Sequence, residues 1–244
     1  MVASIRVKRP LNRSRLHEEI GDILLRDIVK GRIHTGERLP AEREMAHDLG
    51  VNRATVRSAL KWLESLDLIE IRHGLGAVIK DYRESGSPEL IRSLITMDGH
   101  IDEDILMGIL EVRRIMVPQM ASAAASLRTD TDLKDLEDAV FHSSELSVME
   151  RDILVHHIIA VMSNNLLYLV LLNFFNKFMR DFGYLYFEDD RNILRSQEFH
   201  QAIYEAIKKK NPKKAKKVMD GVLEDVERLI RETFNKSQGQ GGTP

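Results

Sequence analysis

The sequence predicts a mainly α chain in two parts: a small front part of three helices and a β-hairpin, and a longer all-α helical bundle behind it. Three observations carry this. Apolar residues recur at helical spacing through most of the 244 residues. One stretch, "LIEIRHGLGAVIK", instead gathers β-branched residues on both sides of a Gly-bracketed turn, which reads as a hairpin. The run from Glu111 to Lys210 is glycine-poor, as a bundle of packed helices requires.

The elements follow in order. Leu16, Ile20, Ile23, Leu24 and Ile28 share one face of a first helix spanning Ser14 to Lys30. "GRIHTGERLP" (31–40) is a connector with two glycines and a closing proline. A second helix starts at Ala41 and is broken at Gly50. Asn52 is a good N-cap for a third helix reaching about Leu66. "RESGSPEL" (83–90) is polar, with Gly, Ser and Pro, and is expected to be the linker. The expected division is therefore 1–82, a linker at 83–90, a helical domain at 91–235 and a disordered tail at 236–244. Helices are expected over 88–97, 102–127, 130–145, 148–163, 165–186, 190–209 and 212–235.

Composition narrows the function. Hydrophobic residues make up 43% and charged residues 30%, which suits a soluble chain able to bury a core. There are no cysteines, which excludes disulfides and Cys-ligated zinc and points to a reducing cytoplasm. No apolar run approaches the ~18 residues of a membrane span. The basic start lacks an apolar signal core, so secretion is not expected. Residues 1–82 carry 15 Lys and Arg against 12 Asp and Glu, whereas the remainder carries 21 against 26. A polyanion would meet the front part.

Three helices with a short Gly-containing turn between the second and third, followed by a hairpin, make a winged helix-turn-helix. The third helix would read DNA. Arg53 and Arg57, four apart, share one face, and arginine grips guanine O6 and N7 bidentately. Asn52 and Thr55 suit phosphates or bases, and Arg43 on the preceding helix joins them. His73 and Gly74 sit at the wing tip. Leu49, Val51, Val56, Leu60, Leu63 and Leu66 are core by spacing, and Trp62 is assigned to packing.

The stretch "GERLPAEREMAHDLGVNRATVRSALKWLESLDLIEIRHGLGAVI" resembles the operator-binding domain of GntR-family bacterial transcription regulators, over roughly Leu16 to Lys80. The resemblance implies DNA contacts by Arg43, Asn52, Arg53, Ala54, Thr55, Arg57, His73 and Gly74, and a homodimer on a palindromic operator. "ILEVRRIMVPQMASAAA" (109–125), "ERDILVHHIIAVMSNNLLYLVLLN" (150–173) and "SQEFHQAIYEAIKKKNPKKAKKVMDGVL" (196–223) are similar to the all-helical effector domain of the FadR branch of that family.

In that domain the chemistry falls on Asp152, His156 and His200. Asp152 and His156 are four apart, on one helix face. Metal-binding members of the branch place a histidine at the position of His200 and another where this chain has Val222. A second departure is Val117, where members often carry Glu. Three readings stay open. The three residues with water hold one divalent ion per chain, zinc or similar. They form a metal-free pocket for an effector carboxylate or phosphopantetheine, with Arg113 as counter-charge. Or they are a satisfied core network. Tyr168, Phe175, Phe178, Phe182, Tyr184 and Tyr186 either line a lipid tunnel, as the acyl-CoA-binding member of the branch implies, or are ordinary bundle core.

The resulting expectation is a cytoplasmic, dimeric, DNA-binding repressor, with no catalytic residues. Its operator affinity answers to a small carboxylate or an acyl-CoA held by Arg113, Asp152, His156, His200, Tyr168 and Tyr186. The alternatives are an architectural DNA-binding dimer without effector, and a metal-dependent enzyme. The sequence holds no nucleophile motif, phosphate loop or HExxH pattern to favour the enzyme.

Overall fold

The computed structural model describes residues 16–240, with side chains described through Asn235. The chain divides into two compact units that meet at Asp102 and Glu103.

The first unit opens with α1 (Leu16–Val29), which buries Ile20, Leu24, Leu25 and Ile28. Ser14 and Arg15, expected to begin this helix, lie outside the described residues. α2 (Glu42–Asp48) buries Met45 and Ala46. Gly50, at φ +65°, makes the turn that β-carbons disfavour. α3 (Arg53–Ser65) starts at the Asn52 cap and buries Val56, Ala59, Leu60 and Leu63. β1 (Ile69–Arg72) and β2 (Gly76–Ile79) pair antiparallel, with Ile69 opposite Ile79 and Arg72 opposite Gly76. This is the expected winged helix-turn-helix. α1 and α3 approach closely at Gly21, where an added β-carbon would stand 2.6 Å from Trp62 Cζ3. Trp62 is thus packing, as expected.

The segment expected to link the domains is instead part of the first unit. α4 (Tyr82–Ser85) is capped by Asp81, and α5 (Pro88–Ile95) carries Pro at its first turn. Leu90 is buried in the core with Leu24 and Leu68, and Leu94 and Met97 pack against it. Lys30 pairs with Asp98 at 2.7 Å. The polar composition of 83–90 hid the buried leucine, and the boundary falls after Asp102 rather than within 83–90.

The second unit holds α6 (Glu103–Leu127), α7 (Asp130–Phe141), α8 (Val148–Met162), α9 (Leu166–Phe182), α10 (Tyr184–Phe187), α11 (Asp190–Lys208) and α12 (Pro212–Gln240). It is all-α, as expected. Reciprocal capping boxes, Thr129 with Asp132 and Ser147 with Glu150, start α7 and α8. α6 buries Met120 beside Ala121, Ala124 and Ala125, and these three small side chains let Met219 and Leu223 of α12 join a shared core. α12 continues to Gln240, so the tail expected to be disordered from 236 is helical in its first part. Residues 241–244 lie outside the described residues. Among the described residues no helix is long and apolar enough to cross a membrane.

Candidate DNA-contact surface and effector site

The predicted DNA contacts lie on three pieces of the first unit: the start of α2, the start of α3 and the wing tip. Asn52 Oδ1 accepts from the Thr55 N–H at 2.8 Å and from Thr55 Oγ1 at 3.0 Å. The cap therefore fixes two of the named side chains before any DNA arrives. Arg53 and Ala54 are exposed on that first turn, and Arg43 is exposed on α2. Arg57 is exposed and held bidentately by Glu42, Nη2 to Oε2 at 2.6 Å and Nε to Oε1 at 3.0 Å. This hydrogen bond raises the Arg57 pKa and lowers that of Glu42. Sequence reading missed Glu42, because fifteen residues separate the partners and no helical spacing links them. His73 and Gly74 are exposed between β1 and β2, with Gly74 at φ +75° and Gly76 at +83°.

In the second unit α6 supplies Arg113, α8 supplies Asp152 and His156, and α11 supplies Ser196 and His200; all five are buried. Asp152 Oδ1 lies 3.1 Å from His200 Nε2 and accepts from Ser196 Oγ at 3.1 Å. A carboxylate only accepts, so His200 Nε2 carries its proton in this contact. His156 Nε2 lies 3.7 Å from Asp152 Oδ2 and 3.5 Å from Arg113 Nη2. Burial is the largest influence on His156 and lowers its pKa to about 3, so the ring is neutral at pH 7. A guanidinium only donates, so His156 Nε2 faces it as acceptor and Nδ1 carries the hydrogen. That Nδ1 is buried without a partner, as is the Tyr186 hydroxyl. Burial pushes the Tyr186 pKa up to about 12, which keeps the hydroxyl a donor. Burial pushes the Asp152 carboxyl up, but His156, the His200 hydrogen bond and Arg113 together pull it below the usual carboxylate range. Ser196 was not anticipated. Its signal was its place four residues before His200, on the same helix face.

These groups surround a cavity of about 10 Å³ lined by Arg113, Asp152, His156, Tyr186, Ser196 and Val222, among others. It has room for about one water. Tyr168 is not among its lining residues; it packs half-buried against the hydrophobic core. Nor do the remaining aromatics make a tunnel. Phe175 and Phe178 are buried and meet Phe174 edge-on, and Tyr184 is 48% exposed. Of the six only Tyr186 reaches the polar site.

The donor set does not suit a metal ion. Among the described residues no group of three or more His, Asp or Glu is arranged to hold one. His200 Nε2 is engaged by the carboxylate, a guanidinium faces His156 Nε2, and the Val222 side chain lines the wall where a fourth ligand was expected.

A wider groove of about 890 Å³ lies along α11 and α12 and shares Tyr186 and Val222 with the small cavity. Its rim includes Arg195, Lys213, Lys214 and Lys217.

A winged helix-turn-helix joined to a helical unit with a buried polar cavity defines a two-domain, ligand-responsive class of DNA-binding protein. Comparisons with known proteins give the family. Residues 16–79 match the model "Bacterial regulatory proteins, gntR family", and 108–225 match the "FCD domain". The chain belongs to the GntR family of bacterial regulators, in its FadR-type branch. It is 34% identical over 128 residues to the HTH-type transcriptional regulator Mce2R of Mycobacterium tuberculosis, covering 52% of this chain and 53% of that one. The match thus spans about half the length of that relative. It is 26% identical over 220 residues to the HTH-type transcriptional regulator LutR of Bacillus subtilis, covering 86% of this chain and 99% of the relative. Lar of Listeria monocytogenes shares the fold, with a TM-score of 0.54, 16% identity and coverage of 93% and 99%. Such relatives are regulators and not enzymes.

Proposed function

We propose that this protein is a cytoplasmic, homodimeric repressor that releases its operator when an anionic small molecule enters the α6–α8–α11 site. The effector is a small carboxylate or an acyl-CoA. The observation that carries this reading is the surplus of buried donors. Arg113, the His156 Nδ1–H and the Tyr186 hydroxyl stand against one carboxylate, Asp152, which Ser196 and His200 already engage. Among the described residues no ion pair within 4.0 Å ties Arg113 to a carboxylate. Buried donors without acceptors are costly, and an incoming carboxylate relieves all three. A divalent ion would add positive charge beside Arg113.

The DNA half of the proposal rests on Arg43, Asn52, Arg53, Ala54, Thr55, Arg57, His73 and Gly74, all at the surface named above. Each chain brings one recognition helix, so a palindromic operator takes two chains.

The test is operator binding by the full chain against a panel of short carboxylates and acyl-CoA thioesters. At least one should lower operator affinity, and Arg113→Gln should abolish the response while leaving apo operator affinity in place. An operator affinity indifferent to every panel member that binds would support the architectural alternative. Tight stoichiometric zinc, lost on His200→Ala, would restore the metal reading.

A further inference from the structure

The acidic helical unit contains one strongly basic feature. Seven lysines fall between 208 and 217, at the turn from α11 into α12. Five of them fall into two sets. Lys208 lies over the Tyr204 ring and Lys209 pairs with Glu205, so these cover their own helix. Lys213, Lys214 and Lys217 instead line the 890 Å³ groove, together with Arg195. No ion pair within 4.0 Å engages these three among the described residues. Two carboxylates, Glu198 and Asp225, also line the groove, so its cations outnumber its anions by four to two.

The same groove lies at the N-terminal end of a 29-residue helix. There Asn211 Oδ1 accepts from the Lys214 N–H at 3.0 Å. The free end of such a helix favours negative charge. A second, independent feature points the same way. Tyr186 lines the groove, is only 4% exposed and has a hydroxyl without a partner. Tyr186 and Val222 also line the inner cavity. Both residues therefore border both spaces.

We propose that the lysine-lined groove between α11 and α12 is a phosphate-binding site that leads, past Tyr186, into the inner effector site. It takes the phosphate group of an elongated anion whose other end reaches Arg113. This rests on the effector reading above and extends it, because a cavity of about 10 Å³ cannot by itself hold an organic effector. A concave site with a buried hydroxyl suits a small phosphorylated ligand better than a duplex, which needs lysines along an open surface.

The test uses inorganic pyrophosphate with the full chain, by isothermal titration calorimetry and phosphorus NMR at about 0.15 M salt, where loose surface attraction is screened. Wild type should bind one pyrophosphate per chain. K214Q/K217Q should weaken it about tenfold or more, Tyr186→Phe by about threefold, and the control K208Q/K209Q not at all. Equal losses in the control, or no saturable binding by wild type, would overturn the proposal. So would K214Q/K217Q weakening non-operator duplex DNA while leaving pyrophosphate unchanged, which would make the lysines a nucleic-acid surface. Melting curves of each variant report any loss of fold. The two readings fail separately. If carboxylates release operator through Arg113 but pyrophosphate ignores Lys214 and Lys217, only the groove is wrong. If pyrophosphate behaves as expected but nothing acts through Arg113, the groove stands and the effector site does not.

Discussion

Arg57 shows how a single side chain can be both anchored and available. Glu42 holds it bidentately, which fixes where its guanidinium sits. Among the described residues no ion pair within 4.0 Å tethers Arg53 at the helix start in this way. Replacing either by Ala should cost about 1–3 kcal/mol of operator binding if each reads a base, measured by fluorescence anisotropy. Unchanged affinity in both variants would remove α3 from the DNA. Glu42→Gln should act through Arg57 and be silent in an Arg57→Ala background, the signature of a shared contact. His156 makes a second prediction at this scale. Its folded pKa lies below its usual value, so the unfolded chain takes up protons first. Stability should be full above pH 6.5 and fall as pH drops toward about 3, through the window between the two values. Asp152, also shifted downward, adds to the loss at the acid end. Denaturant titrations at pH 7 and pH 5 should show the decline, and His156→Gln should flatten it.

At the scale of elements, much was legible and the failures have causes. The expected helices of the second unit are present, because apolar periodicity and caps such as Thr129 and Ser147 agree, except that the helix expected over 165–186 is divided at Gly183 into α9 and α10. The recognition helix was legible from Asn52, whose cap the structure shows. The boundary was misplaced because "RESGSPEL" reads as loop chemistry while Leu90 and the residues after it depend on a tertiary core that periodicity does not reveal. At the polar site, Asp152 and His156 were legible as a helix pair, whereas Ser196, the unpartnered Tyr186 hydroxyl and the exclusion of Tyr168 depend on how helices meet. Gly21 illustrates the same limit: a glycine inside α1 is explained only by Trp62 on α3. Gly21→Ala should destabilise by about 1–3 kcal/mol through overpacking, and less in a Trp62→Leu background. Thermal unfolding followed by circular dichroism checks both. α9 offers another test. Leu166, Leu167, Val170 and Leu171 form an exposed apolar stripe, with Leu166 at 73%. A second copy of this chain is the occupant we expect, since two recognition helices must be brought to one operator. L167E/V170E should yield a folded monomer by analytical ultracentrifugation and lose operator affinity at low concentration. A variant that stays dimeric would place the interface elsewhere.

For the whole molecule, the question is how a ligand at Arg113 reaches α3. A ligand shifts an equilibrium only by its differential affinity for the two states. On the effector reading proposed above, the small inner cavity would supply that difference, because it must widen before an effector enters. Tyr186 on α10 and Val222 on α12 line that cavity, and α12 shares its core with α6. α6 begins at Glu103, where the first unit ends, and carries Arg113 within its first three turns. If the proposed effector acts through α6, effector and operator binding are linked, and their coupling must be reciprocal. If a carboxylate lowers operator affinity tenfold, saturating operator must lower carboxylate affinity by the same factor, about 1.4 kcal/mol in each direction. Titrating the carboxylate into free protein and into the protein–operator complex tests this directly. Equal factors that both collapse to one in Arg113→Gln establish two states selected by the buried guanidinium. A carboxylate that binds equally in both titrations yet displaces operator would instead be competing at the DNA surface itself, and the helical unit would serve only to pair the chains.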